Sequence, residues 1–253
     1  MLDGAYDVQA NTLRIFTVLS TLREEWAGAL ILSCGLSTEG ADLALAANIA
    51  GGVCLSVDGS GERCRAALRW GAVDFAVNSL DEALRAIKNE IRQGRPLSVA
   101  LDGRPGEVMA EVLERGVLPE VFVAFGGGAS ERDEAACRGA AAAFGELGSV
   151  LIDADGTLDG VGSVISIEGQ WEAYVAGRGL SLERFAFETS AALRSFDRRV
   201  LDALPVEDSR HRWAAAAPRH FQRNRFAPAS AARIYDRSLL LTRVEGELLR
   251  SEL

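Results

Sequence analysis

The residues of this 253-residue chain that could do chemistry fall into a few groups, and the first surrounds a small-residue turn. The turn, Gly35-Leu-Ser-Thr-Glu-Gly40-Ala, directly follows the apolar run Ala29-Leu-Ile-Leu-Ser33. Small residues there let the backbone approach a diphosphate, and a following helix presents free N–H groups at its positive end. Asp58 closes a second apolar run, Val53-Cys-Leu-Ser-Val57, about twenty residues beyond the turn. A carboxylate at that place accepts hydrogen bonds from an adenosine ribose. The alternative is plainer: a glycine needed only to turn the chain, and Asp58 as a solvated turn residue in Asp58-Gly-Ser-Gly.

A second group is Ser149-Val-Leu-Ile-Asp153-Ala-Asp155-Gly-Thr157-Leu158, of the form hhhDxDGTL. It resembles the nucleophile loop of haloacid-dehalogenase-type phosphatases, in which one aspartate attacks phosphorus and the other moves the proton, both beside Mg²⁺. Such an enzyme also needs a later phosphate-binding cation and a later acidic pair. After Leu158 there is no lysine, and Glu207-Asp208 is the one acidic pair on offer. A strand that ends in an Asp/Gly turn is the favoured alternative. The third group is basic: Arg210, Arg212, Arg219, Arg223 and Arg225, with His211 and His220 among them. It could hold a phosphorylated or carboxylated ligand, or the acidic face of a partner, or be a solvated arm. Trp213, His220 and Phe221 beside the arginines favour an interface over a loose tail. The histidines have no metal-ligand partners at useful spacing, so no metal site is expected. The cysteines, Cys34, Cys54, Cys64 and Cys137, show no CxxC spacing and are expected as buried free thiols.

Strands and helices must place these groups. Val8 to Trp26 carries Leu13, Phe16, Leu19 and Leu22 at intervals of three, an amphipathic helix. Short apolar runs follow at 29–33, 53–57, 72–77, 97–101, 121–125 and 149–152, each bounded by glycine or a polar turn. Helical segments separate them: 41–50, 62–69, 79–92 opened by the capping box Ser79-Leu-Asp-Glu82, 107–115, and 130–144. Strands alternating with helices of about ten residues predict βαβ units and a parallel sheet, and right-handed crossovers make it doubly wound. The expected fold is therefore α/β: a doubly wound, mostly parallel Rossmann-like sheet with flanking helices. Val161 to Ile167 adds an edge strand or hairpin. Ser181 to Leu204 and Ile234 to Leu253 predict two long helices. Residues 1–160 are expected as the Rossmann domain with its N-terminal helix. Residues 161–253 are expected as a mainly helical extension packed on the sheet or on a second subunit.

Bulk properties bound the function. The net charge is −9, which disfavours nonspecific nucleic-acid binding by the whole molecule, and hydrophobic residues make up 48%. No apolar run reaches about 18 residues, so no membrane span is expected. Neither a signal peptide nor an oxidising compartment is indicated, and a cytoplasmic location is expected.

Taken together, the residues from Gly28 to Val123 resemble the NAD-binding domain of the urocanase (urocanate hydratase) family, in a register without gaps. Gly35-Leu36 is similar to the start of that family's glycine-rich loop, and Ala46 with Asn48-Ile-Ala-Gly51 to the helix after it. Asp58 falls on the family's glutamate and Arg63 on an arginine in the next helix. Gly71, Asp74, Ser79-Leu-Asp-Glu-Ala-Leu84, Gly94-Arg-Pro-Leu-Ser-Val99, Gly103, Glu107-Val108, Arg115-Gly116-Val117 and Pro119 continue the likeness. The resemblance implies NAD as cofactor, bound by Gly35, Leu36, Gly40, Asn48, Asp58, Arg63, Gly103 and Arg104. It names no catalytic residue here.

The departures are specific. The family's GGMxGAQP is replaced by Ser37-Thr-Glu-Gly-Ala-Asp-Leu-Ala44, which puts Glu39 beside the diphosphate position. The GN turn reads Gly103-Arg104. The DQTS segment that faces the reaction reads Ala124-Phe125-Gly126-Gly127, without a polar side chain. None of the family's large core domain is recognisable in the rest of the chain. The expectation is a stand-alone urocanase-like Rossmann protein, dimeric, that binds NAD or another adenine nucleotide and has little or no hydratase activity. The competing expectation is a non-catalytic assembly or regulatory protein that kept the fold and lost the cofactor, with Arg210–Arg225 as one surface for a protein partner. A Mg²⁺-dependent phosphatase using Asp153 and Asp155 stands third.

Overall fold

A computed structural model of the protein describes residues 7–125, 131–154, 156–221 and 235–251. Asp7 caps the first helix, α1 (Val8–Leu22), by accepting the Ala10 N–H. Beyond it, β1 (Leu30–Cys34), α2 (Thr38–Ala50), β2 (Val53–Asp58), α3 (Gly61–Trp70), β3 (Phe75–Val77), α4 (Leu80–Gln93), β4 (Leu97–Asp102), α5 (Pro105–Glu114), β5 (Val121–Ala124), α6 (Glu131–Glu146), β6 (Val150–Asp153) and β7 (Val164–Ser166) follow in turn. The seven strands form one parallel sheet in the order β3-β4-β2-β1-β5-β6-β7. This is the doubly wound Rossmann-like architecture that the alternation of elements predicts.

The central strands are buried along their whole length, which is why they read as continuous apolar runs rather than alternating ones. Within the apolar runs of β1 and β2, Ser33 and Ser56 are polar, as is Asp58 at the end of β2, and the two serine hydroxyls hydrogen-bond each other at 2.9 Å. One face of the sheet carries α1, α2 and α3, the other α4, α5 and α6. That division follows from handedness. The chain moves one way from β1 through β2 to β3, then returns through β4, β5 and β6, so right-handed crossovers must change face. The Ser79 hydroxyl accepts the Glu82 N–H and so opens α4, which is the serine half of the predicted capping box.

The C-terminal part corrects the sequence expectation. Helices α7 (Ile167–Arg178), α8 (Ser190–Ala203), α9 (Ser209–Ala216), α10 (Pro218–Phe221) and α11 (Arg243–Ser251) are present, but two segments expected as helix are strand. The expected helix 181–204 begins as β8 (Leu180–Phe187) and becomes α8 only after Thr189 caps it. The expected helix 234–253 begins as β9 (Tyr235–Thr242). The two strands pair antiparallel, Leu180 opposite Thr242 and Phe187 opposite Tyr235. Leucines at 239, 240 and 241 are all buried, which suits a covered strand and defeats the helical reading of the same residues.

This module shares its core with the Rossmann sheet. Phe16 of α1 packs against Trp213 of α9 with tilted rings whose centroids are 5.4 Å apart, and the Trp213 indole donates to the Ser238 carbonyl at 3.0 Å. Gln9 accepts the Ser238 N–H. Two arginines, one buried and one half-buried, fix the module. Arg237, 1% exposed, makes a bidentate pair with Asp197 at 2.7 and 2.8 Å. Arg210 binds Asp208 and Glu245, each at 2.7 Å, and also donates to the Leu240 carbonyl.

Removing Arg237, which is 1% exposed, leaves the half-buried Asp197 carboxylate without its partner and opens a cavity in the core. Arg237→Ala should lower the unfolding free energy by about 3–5 kcal/mol in urea denaturation. Acid should act on Arg210's partners. Burial pushes Asp208 and Glu245 up, but the Arg210 guanidinium overcomes it and holds both below the usual carboxylate range. A depressed folded-state pKa stabilises at higher pH and is lost as pH falls through it. The thermal midpoint should therefore drop steeply below about pH 4, and less steeply in Arg210→Met.

Candidate functional site

In an open parallel sheet a ligand sits beyond the carboxyl ends of the strands, where neighbouring strands lead their chains in opposite directions. Here that point lies between β1 and β5. Gly35 leaves β1 with φ +92°, a conformation that favours glycine. Its N–H donates to the Val57 carbonyl at 2.8 Å, and Phe125 N–H donates to the Cys34 carbonyl at 2.8 Å. A Cβ on Gly35 would lie 2.6 Å from the Phe125 carbonyl oxygen, and one on Gly40 would lie 2.5 Å from the Gly35 carbonyl oxygen. The chain's own packing therefore demands both glycines.

The spacing of this turn assigns the roles. In a G-x-G-x-x-G turn the first glycine turns the chain, the second admits the diphosphate, and the third packs helix on strand. Gly35 and Gly40 stand at the first and third places. The second is Ser37, whose hydroxyl accepts the Gly40 N–H at 3.3 Å and caps α2. The helix end that would receive phosphate is thus capped from within. Glu39 is exposed in the same first turn, where it suits the helix dipole and repels an incoming anion. Phe125, 4% exposed, stands where the resemblance places polar residues, and its ring faces Gly40. The residues present do not fit an NAD diphosphate at this turn.

Asp58 is 1% exposed and its carboxylate accepts four hydrogen bonds. Oδ2 takes the Leu36 N–H at 2.7 Å and Arg63 Nε at 2.9 Å. Oδ1 takes the Ser60 N–H at 2.7 Å and Arg63 Nη2 at 2.7 Å. A carboxylate offers about four lone-pair directions, so these contacts saturate it. The hydrogen bonds that Arg63 donates to Asp58 raise the Arg63 pKa further. Asp58 is therefore not a solvated turn residue. It holds the first turn, the second turn and α3 together.

Gly103 joins this group: its N–H donates to the Asp58 carbonyl at 3.1 Å. Arg104 follows it, opens α5 and pairs with Glu107 at 2.9 Å. Gly35, Leu36, Gly40, Asp58, Arg63, Gly103 and Arg104 thus share one edge of the sheet. Asn48 does not. It lies in the last turn of α2, at the opposite edge, and donates to Asp74 at 2.9 Å. The same Asp74 carboxylate accepts the Ser98 N–H at the start of β4. Asn48 clamps the far end of α2 and faces no ligand at the Gly35 edge.

The other groups also turn inward. Asp153 ends β6 and accepts N–H groups from Gly156 at 3.0 Å and Leu158 at 3.3 Å, the work of a turn residue. Asp155 lies outside the described residues. Among the described residues no cluster of three or more His, Cys, Asp or Glu side chains could hold a metal ion. In the basic stretch, Arg210 is half-buried in its ion pairs, Arg212 donates to the Glu24 carbonyl, and Trp213 is buried within the chain. The aromatic residues among those arginines mark an interface inside the molecule. Arg223 and Arg225 lie outside the described residues. No helix among the described residues is long and apolar enough to cross a membrane.

Asp58→Ala leaves the buried Leu36 N–H without an acceptor and frees both turns. It should cost on the order of 3 kcal/mol in chemical denaturation. Arg63→Ala leaves the 1%-exposed Asp58 carboxylate with two backbone N–H donors and no cation, and should cost about 3 kcal/mol as well.

Residues 1–124 match the family model described as Urocanase Rossmann-like domain. The match starts ahead of Gly28, so it takes in α1, which the sequence resemblance left out. It ends at Ala124, the last residue of β5, just before Phe125. This stretch of the chain is therefore similar to the Rossmann-like, NAD-binding domain of the urocanases and has a nucleotide-binding type of fold.

Proposed function

We propose that this protein uses a urocanase-type Rossmann domain as a scaffold for assembly, without urocanate hydratase activity. The observation that carries this reading is Ser37. It stands at the glycine position a diphosphate needs, while the two glycines that only the fold needs are kept. The saturated Asp58 carboxylate and the Phe125 ring agree with it.

The partner in this reading is a second copy of the chain, docked along β3. That strand is one edge of the sheet, with β4 as its neighbour among the described residues. An edge strand presents unpaired backbone groups to a partner. Phe75 on β3 is 55% exposed, and Trp70 and Leu68 on α3, which packs on β3, are 43% and 40% exposed. A groove of about 400 Å³ beside Phe75 is lined by Glu82, Arg85, Asn89 and Glu90. Charges of both signs on one surface suit a two-fold contact, in which each patch meets its own copy.

A second reading is binding of NAD or another adenine nucleotide at the Gly35 edge. The observation that favours it is the Asp58–Arg63 pair at the ribose position. The Arg63 side chain is 39% exposed and could swing away to free the carboxylate.

Isothermal titration with NAD, ADP-ribose and ATP at millimolar concentration separates the two. We expect no saturable heat from any of them. Saturable binding that tightens in Arg63→Ala would establish the second reading in place of the first. For the assembly, light scattering should give twice 27.0 kDa, and Phe75→Glu should return the monomer with an unchanged circular dichroism spectrum. A wild-type protein that stays monomeric at hundreds of micromolar rules out the β3 contact.

A further inference from the structure

All four cysteines are buried free thiols, but they are not alike. Cys54 lies in β2 with its sulfur 3.6 Å from the Ser56 hydroxyl, and Cys64 lies on α3 with its sulfur 3.9 Å from the Asp58 carbonyl. Neither faces another sulfur at bonding range. Cys34 and Cys137 do. Cys34 ends β1 next to Gly35, Cys137 lies on α6, and their sulfurs are 2.8 Å apart across 103 positions of sequence. Both belong to the core on the α4–α5–α6 side of the sheet. A disulfide needs a further approach of less than about 1 Å.

We propose that Cys34 and Cys137 form a reversible dithiol–disulfide site that fastens the end of β1 to α6. The oxidant is a small peroxide. The Cys137 thiolate attacks one peroxide oxygen and becomes a sulfenic acid, and the second oxygen leaves as hydroxide. The Cys34 sulfur then attacks the sulfenyl sulfur. The S–S bond forms, the S–OH bond breaks, and the Cys34 proton leaves with the hydroxyl as water. In sum two thiols and one hydrogen peroxide give one disulfide and two waters. A dithiol reductant reverses it.

The surroundings assign the order of attack. The hydrogen bond between the two thiols raises Cys34 well above the ordinary thiol value and lowers Cys137, which makes Cys137 the more readily ionised of the two. Burial pushes Cys54 and Cys64 up to about 12, which keeps both protonated. One chain thus holds a reactive pair and two internal controls.

The test treats the folded full-length chain with hydrogen peroxide, quenches in acid, unfolds it, and alkylates with N-ethylmaleimide. We expect two adducts where the reduced protein takes four, with a mass lower by two hydrogens before alkylation. Proteolysis should yield one cross-linked peptide pair, joining Cys34 to Cys137, and dithiothreitol should restore all four adducts. Cys137→Ala, which adds no polar group to the core, should take three adducts before and after oxidation. Cys34→Ser should lose the cross-link as well. Four adducts after oxidation, a cross-link between any other pair, or Cys137 gaining two oxygens without a cross-link would each overturn the proposal. None of these outcomes depends on whether the protein dimerises or binds a nucleotide.

Discussion

Everything at the ligand edge of this sheet depends on how one buried carboxylate is satisfied. The Asp58 carboxylate is almost wholly out of water, and leaving it without partners there would cost several kcal/mol. In a nucleotide-binding protein of this topology, ribose hydroxyls supply part of the compensation. Here two backbone N–H groups and the Arg63 guanidinium supply all of it. The consequence is structural as well as chemical. The turns after β1 and β2 are locked to each other through Asp58, and the turn after β4 joins them through Gly103. The edge is complete without a ligand.

The same logic extends to the second half of the chain. α1 would expose a broad apolar stripe if it met only α2. Instead α9 and β9 cover it, with Trp213 on Phe16 and the Gln9 amide on the backbone of Ser238. The two-stranded sheet β8–β9 is too small to be stable alone. It is held by the buried Arg237, paired with Asp197, and by Arg210, which joins α9 to Glu245 at the start of α11. These polar ties add little net stability over apolar packing, but they specify one arrangement, because any other leaves a buried charge unpaired.

The Rossmann half was legible because a doubly covered parallel strand and a capped helix each leave a local signature. Val53–Val57 and Ser79–Glu82 are such signatures, and their neighbours in space do not alter them. The failure at β8 and β9 has a physical cause too. Leu182 and Phe185 fall three apart, as on a helix, yet Leu182 is 45% exposed and Phe185 buried, so the spacing reported no shared face. A signal was available at β9. Thr242-Arg-Val-Glu245 is a complete capping box: Thr242 accepts the Glu245 N–H and Glu245 accepts the Thr242 N–H. It marks where α11 begins and therefore where the leucine run must be something else. Asn48 was misplaced for a different reason. Motif similarity gives a position in sequence, but the length of α2 carries Asn48 to the other end of the sheet.

A glycine-rich turn serves two masters, and a resemblance alone does not separate them. Gly35 must adopt a positive φ and pass under Phe125, and Gly40 must let α2 touch β1. Both needs exist whether or not a ligand binds. The middle position answers only to the ligand. There a side chain is harmless to the fold and can even help, as Ser37 does by capping α2. Gly35 and Gly40, which the fold demands, are kept, while Ser37 at the middle position, Glu39, Arg104 and the segment after β5 depart from the family's pattern. The division runs through neighbouring residues of one turn, so the likeness in fold and the departure in chemistry have a single explanation.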